Sequence, residues 1–205
     1  HFTWRGIEVV IKDPLPVDVP IDVVLEKLSK MLPGKFLTSI DGIYVGVWPE
    51  LQSRELQAMY EHGAIYITNS QTNVGDMLND LVHEIAHSLE ERNAGNIYGD
   101  NKLESEFLIK RQHLRTSLES EGYQVPDLNY FLEVEYNRDF DNYLYNNIGY
   151  SLLSLMTVNL FYSPYAATSL REYYANGFEA LYYHKDPGRL SSLSPILLDK
   201  LKNLK

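Results

Sequence analysis

The chain has 205 residues, 44% hydrophobic and 22% charged, a mixture that excludes a largely disordered polypeptide. It contains no cysteine, so disulfide frameworks, thiolate metal sites and cysteine nucleophiles are excluded, and any metal must be held by His, Asp or Glu. Eighteen Lys and Arg stand against 28 Asp and Glu, a formal charge of -10, which speaks against a basic face that neutralises nucleic-acid phosphates.

Strand-like alternation comes first, over residues 6–12 (GIEVVIK), and ends at the breaker pair Asp13-Pro14. Pro14, Pro16 and Pro20 mark a stiff connector. Residues 22–32 (DVVLEKLSKML) place Val24, Leu25, Leu28, Met31 and Leu32 at helical spacing and stop at Pro33-Gly34. Two further strands are expected at 43–47 (IYVGV) and 63–68 (GAIYIT), followed by a polar break over 69–73. A helix is expected over 74–92, opened by Asn73 and Asp76 in a capping-box-like pair with Asp in the Glu place. Helices are expected over 102–121, over the tyrosine-rich 127–145, which has no Gly or Pro, and over 170–184 and 195–205. The longest apolar run, 151–161 (SLLSLMTVNLF), is shorter than the roughly 18–20 residues that span a bilayer, and reads as a core helix. The whole is expected to be one α+β domain over 1–205. A small mixed sheet with a helix fills about 1–73, and a mainly helical part fills about 74–205. The chain begins at His1, so it reads as a processed or trimmed form; compartment and oligomeric state are not legible.

One motif carries chemistry. His83-Glu84-Ile85-Ala86-His87 is an H-E-x-x-H run inside the best-defined helix. Residues four apart lie one above the other on a helix, so both imidazoles can converge on one Zn²⁺ at about 2.0–2.1 Å. Glu84 points off that axis toward a metal-bound water. Met77, Leu78, Leu81, Val82, Ile85, Ala86 and Leu89 supply the stripe that anchors the helix. A catalytic zinc needs a third protein ligand, and ligand chemistry alone leaves Glu172, Glu106 and Glu179 open. Asn176 lies one turn after Glu172, where an amide can hydrogen-bond a ligand histidine. Ser169-x-x-Glu172 also fits a capping box, which needs no metal.

Two blocks, His83-Glu84-Ile85-Ala86-His87 and the run from Tyr165 to Phe178 (YAATSLREYYANGF), together resemble the catalytic domain of the anthrax lethal factor family. They are also similar to the small secreted Pro-Pro endopeptidases of the same peptidase group. In that family a tyrosine precedes the ligand glutamate by seven residues, and the glutamate begins an E-[FY]-[FY]-A-[EN] run; Tyr165 and Glu172 reproduce both. The resemblance implies a zincin-like fold in which His83, His87 and Glu172 bind zinc, Glu84 is the general base and Tyr165 donates to the developing oxyanion. It implies that 63–68 is the edge strand along which substrate backbone lies, with Gly63, Ala64, Ile65 and Tyr66 as contacts. It leans toward a protein secreted or delivered outside the producing cell, and a preference for proline rests on it alone. Asn176 stands where an acidic residue is often found, and the two blocks are further apart than the family usually shows.

Other residues draw structural readings. The chain has 16 tyrosines, many of them between Tyr123 and Tyr183. Glu133, Glu135, Asp139 and Asp141 interleave those rings, which suits an amphipathic helix better than a nucleic-acid platform. His62, His113 and His184 read as surface or partly buried, and Glu90 and Glu91 most simply as a solvated end to the H-E-x-x-H helix, with the alternative that one of them orients His87. The expected function is zinc-dependent endopeptidase action on an extended polypeptide, with one Zn²⁺ per chain, Glu84 as base to a zinc-activated water, and no nucleic acid or membrane span. The competing expectation is a non-catalytic zincin-like binding or structural module of a larger toxin or particle.

Overall fold

Two short strands open the chain, β1 (Phe2–Trp4) and β2 (Ile7–Ile11), and the two residues between them explain the hairpin. Arg5 and Gly6 both have positive φ, as tight hairpin turns matched to strand twist require. The computed structural model describes residues 1–205. After β2 come α1 (Ile21–Met31), a 3₁₀ turn at Gly34–Leu37, β3 (Gly42–Gly46), α2 (Pro49–Ser53), β4 (Ala58–Glu61), β5 (Ala64–Thr68) and the long helix α3 (Val74–Tyr98). The five strands form one mixed sheet in the order β1-β2-β3-β5-β4. β2, β3 and β5 are parallel, and the outer pairs are antiparallel hairpins.

Register sorts the side chains. Val9, Ile43 and Ile65 stand side by side across the three parallel strands, as do Ile11, Val45 and Ile67 in the next row. All but Ile11 are buried. The period of two sends Tyr44 and Tyr66 to the other face, where their rings stack at 5.3 Å.

The second half is helical: α4 (Lys102–Ser120), α5 (Leu128–Leu132), α6 (Arg138–Asn142) with a π turn at Tyr143–Ile148, α7 (Tyr150–Met156), a 3₁₀ turn at Pro164–Ala167, α8 (Leu170–Tyr182), α9 (Pro187–Leu193) and α10 (Pro195–Lys202). Phe107, Phe161 and Tyr173 pack ring against ring in its core. No helix is long and apolar enough to cross a membrane.

Two compact units divide the chain, residues 1–93 with Lys205, and residues 94–204. The division falls inside α3, and not at about residue 73 where composition shifts from mixed to helical. The difference has a cause in the first unit itself. Met77, Leu81, Val82, Ile85 and Leu89 bury the apolar stripe of α3, Arg92 donates to Thr38 Oγ1, and Ser88 Oγ lies 3.2 Å from Ser39 Oγ.

Three further expectations differ. β1 and β4 are strands that periodicity does not signal, because one has three residues and the other, AMYE, lacks β-branched alternation. The tyrosine-rich 127–145 is broken, not one helix. Asp127 caps α5 by accepting from the Asn129 amide, and Asn137 caps α6 by accepting from the Phe140 amide. An N-cap in the middle of the run, Asn137, starts a new helix there and so divides it without Gly or Pro. Residues 151–161 are helical only to Met156, and Leu155 is 74% exposed, so this run is only partly core.

Candidate metal centre

α3 begins as its sequence suggests. Asn73 Oδ1 accepts from the Asp76 amide and Asn73 Nδ2 donates to Asp76 Oδ2, both at 2.9 Å, a reciprocal cap that fixes the helix start. From that start the stripe on one face is buried, and the adjoining face carries His83, Glu84 and His87. The two imidazoles turn toward each other, with Nε2 to Nε2 at 3.2 Å. Two nitrogens at about 2.0–2.1 Å from a tetrahedral ion stand about 3.3–3.4 Å apart, so the pair is already at a metal-binding separation. Glu84, between them in sequence, is 8% exposed.

Glu90 decides between the two sequence readings, in favour of the one in which a carboxylate orients His87. It is 5% exposed and not a solvated helix end; its Oε1 lies 2.5 Å from His87 Nδ1. A carboxylate on Nδ1 holds that nitrogen protonated, fixes the tautomer and leaves Nε2 as the lone-pair donor. Position carries the signal that composition hid: Glu90 is three residues after His87, on the same helical face, whereas Glu91 is exposed.

In the second unit, the helix carrying Glu172 is also capped. Ser169 Oγ accepts from the Glu172 amide at 3.1 Å. That cap uses the amide and not the carboxylate, so the capping and ligand readings are compatible. Tyr165 sits in the 3₁₀ turn just before. Burial first, then the Glu172 charge, push its phenol far above the ordinary value near 10, so it stays protonated and able to donate.

Among groups of three or more His, Asp or Glu that could hold a metal ion, one occurs: His83, His87 and Glu172, with candidate ligand atoms within 4.8 Å of one another. Two imidazoles and one carboxylate are a donor set that suits zinc.

The rivals lie elsewhere. Glu106 accepts from Tyr173 Oη at 2.6 Å and from the amides of Ile196 and Leu197, so it caps α10 and satisfies a buried phenol. The basic neighbours are not its partners by hydrogen bond: Lys110 donates to Leu193 O and Arg111 to three other carbonyls. Glu179 is buried on α8 and is outside the group of three. Asn176 Oδ1 is buried without a hydrogen-bond partner, and Glu90 is the group that meets His87 Nδ1.

The strand expected to bind substrate is not an edge. β5 pairs with β3 on one side and β4 on the other, so Ala64, Ile65 and Tyr66 have no open ladder to offer. Gly63 is a turn residue with φ +89, and a Cβ there would lie 2.4 Å from Asp41 Oδ2. The edge strands are β1 and β4, and β4 is the one beside β5. Tyr60 on β4 lies beside Glu91, one turn after His87 on α3, and burial chiefly raises its phenol pKa.

No protein-family model, characterised protein or solved structure gives a significant match to the chain.

Proposed function

We propose that the chain is a zinc-dependent endopeptidase of the H-E-x-x-H-plus-glutamate type, similar to the lethal factor family, with His83, His87 and Glu172 as ligands of one Zn²⁺. The observation that carries the reading is the paired Nε2 atoms of His83 and His87, 3.2 Å apart, with Glu90 on the Nδ1 of His87. An accidental H-E-x-x-H has no reason to come with a buried carboxylate that sets the tautomer needed for ligation.

When bound, zinc supplies Lewis-acid polarisation and lowers the pKa of water to about 7. The rest falls to the chain's residues. Glu84 accepts a proton from the attacking water and returns it to the leaving amine, a role worth about 10²–10⁴-fold. Tyr165 Oη, kept protonated by burial, donates to the carbonyl oxygen as it gains charge. The substrate backbone is assigned to the open edge of β4 by strand addition, in place of β5.

The test is cleavage of a mixed peptide library by zinc-loaded protein, compared with Glu84→Gln and with chelator-treated protein. Cleavage in the wild type, restored by zinc after chelation and absent in Glu84→Gln with zinc still bound, is expected. A metal-loaded wild type that cleaves nothing favours the non-catalytic module, and equal rates in wild type and Glu84→Gln remove Glu84 as the base.

A further inference from the structure

From Asn142 to Leu170 the chain has no charged residue and no histidine, although 22% of the whole chain is charged. The stretch is not all core. Tyr145 is 59% exposed, and Leu155 and Val158 are exposed as well. Its last part carries Tyr165 and the Ser169 cap of α8, so this uncharged segment leads to the residue proposed to meet the oxyanion.

Asp141, the last charge before that stretch, organises its rings. Oδ2 accepts from Tyr136 Oη at 2.8 Å and Oδ1 from Tyr150 Oη at 3.4 Å, so a phenol meets each oxygen. The chain then turns through Gly149, whose φ of +85 suits glycine. Across that turn the Tyr145 and Tyr150 rings meet edge to face, with centroids 5.3 Å apart and planes at 72°. Tyr150 opens α7, which packs against the 3₁₀ turn that carries Tyr165. The phenols feel one another accordingly. Burial first, then Glu172, Asp141, Tyr150 and Tyr136, raise the pKa of Tyr165; burial first, then Asp141, Tyr136 and Tyr145, raise that of Tyr150.

The chemistry of this wall selects its occupant. An exposed ring beside a second ring offers edge and face to a third, a contact that adds to the gain from the area it buries. A charged side chain would meet no counter-charge within 142–170, and an acidic one would also face Asp141.

We propose that Tyr145 and Tyr150 form the subsite for an aromatic side chain of the peptide substrate, beside Tyr165, with Asp141 as the positioning residue that holds the Tyr150 ring. The proposal rests on the endopeptidase reading for the word substrate, and on the rings for its preference. Binding tests the rings without cleavage. In zinc-loaded protein carrying isotope-labelled tyrosine, Tyr145→Phe and Tyr150→Phe assign the two ring signals in the magnetic resonance spectrum. Acetyl-phenylalanine amide should shift both signals, and acetyl-alanine amide should need about tenfold more ligand or worse for the same shift. Asp141→Asn should shrink that ratio to about threefold or less, and the ratio is a readout that lost stability alone does not move. Tyr145→Ala, at an exposed position, should shrink it likewise and gives a second variant should Asp141→Asn fold poorly. Equal responses to the two amides, a stronger response to acetyl-lysine amide, or no response in the wild type overturns the proposal. An unchanged ratio in Asp141→Asn overturns its positioning role. A positional peptide scan then separates the two readings. Cleavage with no preference for an aromatic residue at any position near the bond overturns the subsite and leaves the endopeptidase standing. Phenylalanine-selective binding with no cleavage of any peptide overturns the endopeptidase reading, and the substrate assignment with it.

Discussion

Arg111 is the residue whose removal should be felt most. It is fully buried on α4, and each of its three nitrogens donates to a main-chain carbonyl: Nε to Ala167 O at 2.5 Å, Nη1 to Tyr130 O at 2.9 Å and Nη2 to Thr168 O at 3.0 Å. Phe107 and Phe140 flank the guanidinium with ring centroids at 4.8 and 4.4 Å. Burial lowers its pKa to about 9, partly offset by Glu133, so the charge itself is costly and the hydrogen bonds hold it. Two of those carbonyls lie between Tyr165 and the Ser169 cap, the stretch that positions Tyr165 and Glu172.

Arg111→Met keeps the length and the apolar stem but removes every donor. Three charge-assisted bonds are worth about 1.5–3 kcal/mol each, and relief of the buried charge returns several kcal/mol. The expected net loss is about 2–4 kcal/mol, or a Tm lower by about 5–15 °C for a chain of this size. Arg111→Lys should not rescue, because a compact ammonium cannot fork across three carbonyls. Urea unfolding followed by circular dichroism, with unchanged slope and shifted midpoint, measures this. A Met variant within about 0.5 kcal/mol of wild type, or a Lys variant as stable as wild type, would refute the clamp.

Glu172→Ala should lower zinc affinity sharply and stability little, while Glu106→Ala should keep zinc and lose about 2–4 kcal/mol by orphaning the Tyr173 phenol and the start of α10; chelator competition and melts on both variants check this. Glu90→Gln should weaken zinc by about 10–100-fold through the His87 tautomer, read by the same competition, and wild-type affinity would remove its role. Burial raises the phenols of Tyr150, Tyr165 and Tyr173 above the ordinary value, so the unfolded chain releases those protons first and stability should fall as pH rises past about 10. Arg111 pulls the other way, since its folded pKa is lowered, but it is one group against three; a urea midpoint that rises between pH 9.5 and about 11 would show the tyrosines are not the stronger set.

What was legible in the chain is what has a short period. The H-E-x-x-H spacing, the stripe beneath it and the Asn73–Asp76 cap are all local, and each appears where the spacing put it. Glu90 was within reach as well, since i to i+3 is one helical turn; its burial was not, because that depends on what packs around the helix end. The edge-strand assignment failed for a different reason. Which strand lies outermost depends on pairing between distant segments, and the hairpin turn His62-Gly63 folds the short β4 back along β5. A four-residue strand without alternation leaves no trace in periodicity. The break in 127–145 shows the limit of reading helices from missing Gly and Pro, since α5 ends at Leu132 and Asn137 caps the start of a separate α6.

The formal charge of -10 speaks against nucleic acid by sign, but it does not by itself select a peptide. At physiological salt the screening length is about 8 Å, so distant carboxylates on the surface hardly act on a bound side chain. Local charges do. At an effective dielectric near 20, a pair about 4 Å apart gains roughly 4 kcal/mol, and one about 8 Å apart roughly half that before screening. In the proposed centre Zn²⁺ with two neutral imidazoles and one carboxylate keeps one positive charge, which Glu84 offsets, and Glu90 adds a negative charge behind His87. In that proposed centre the charges that act on a bound group are the few within a screening length of it, and the chain's total charge is a weak guide to what it binds.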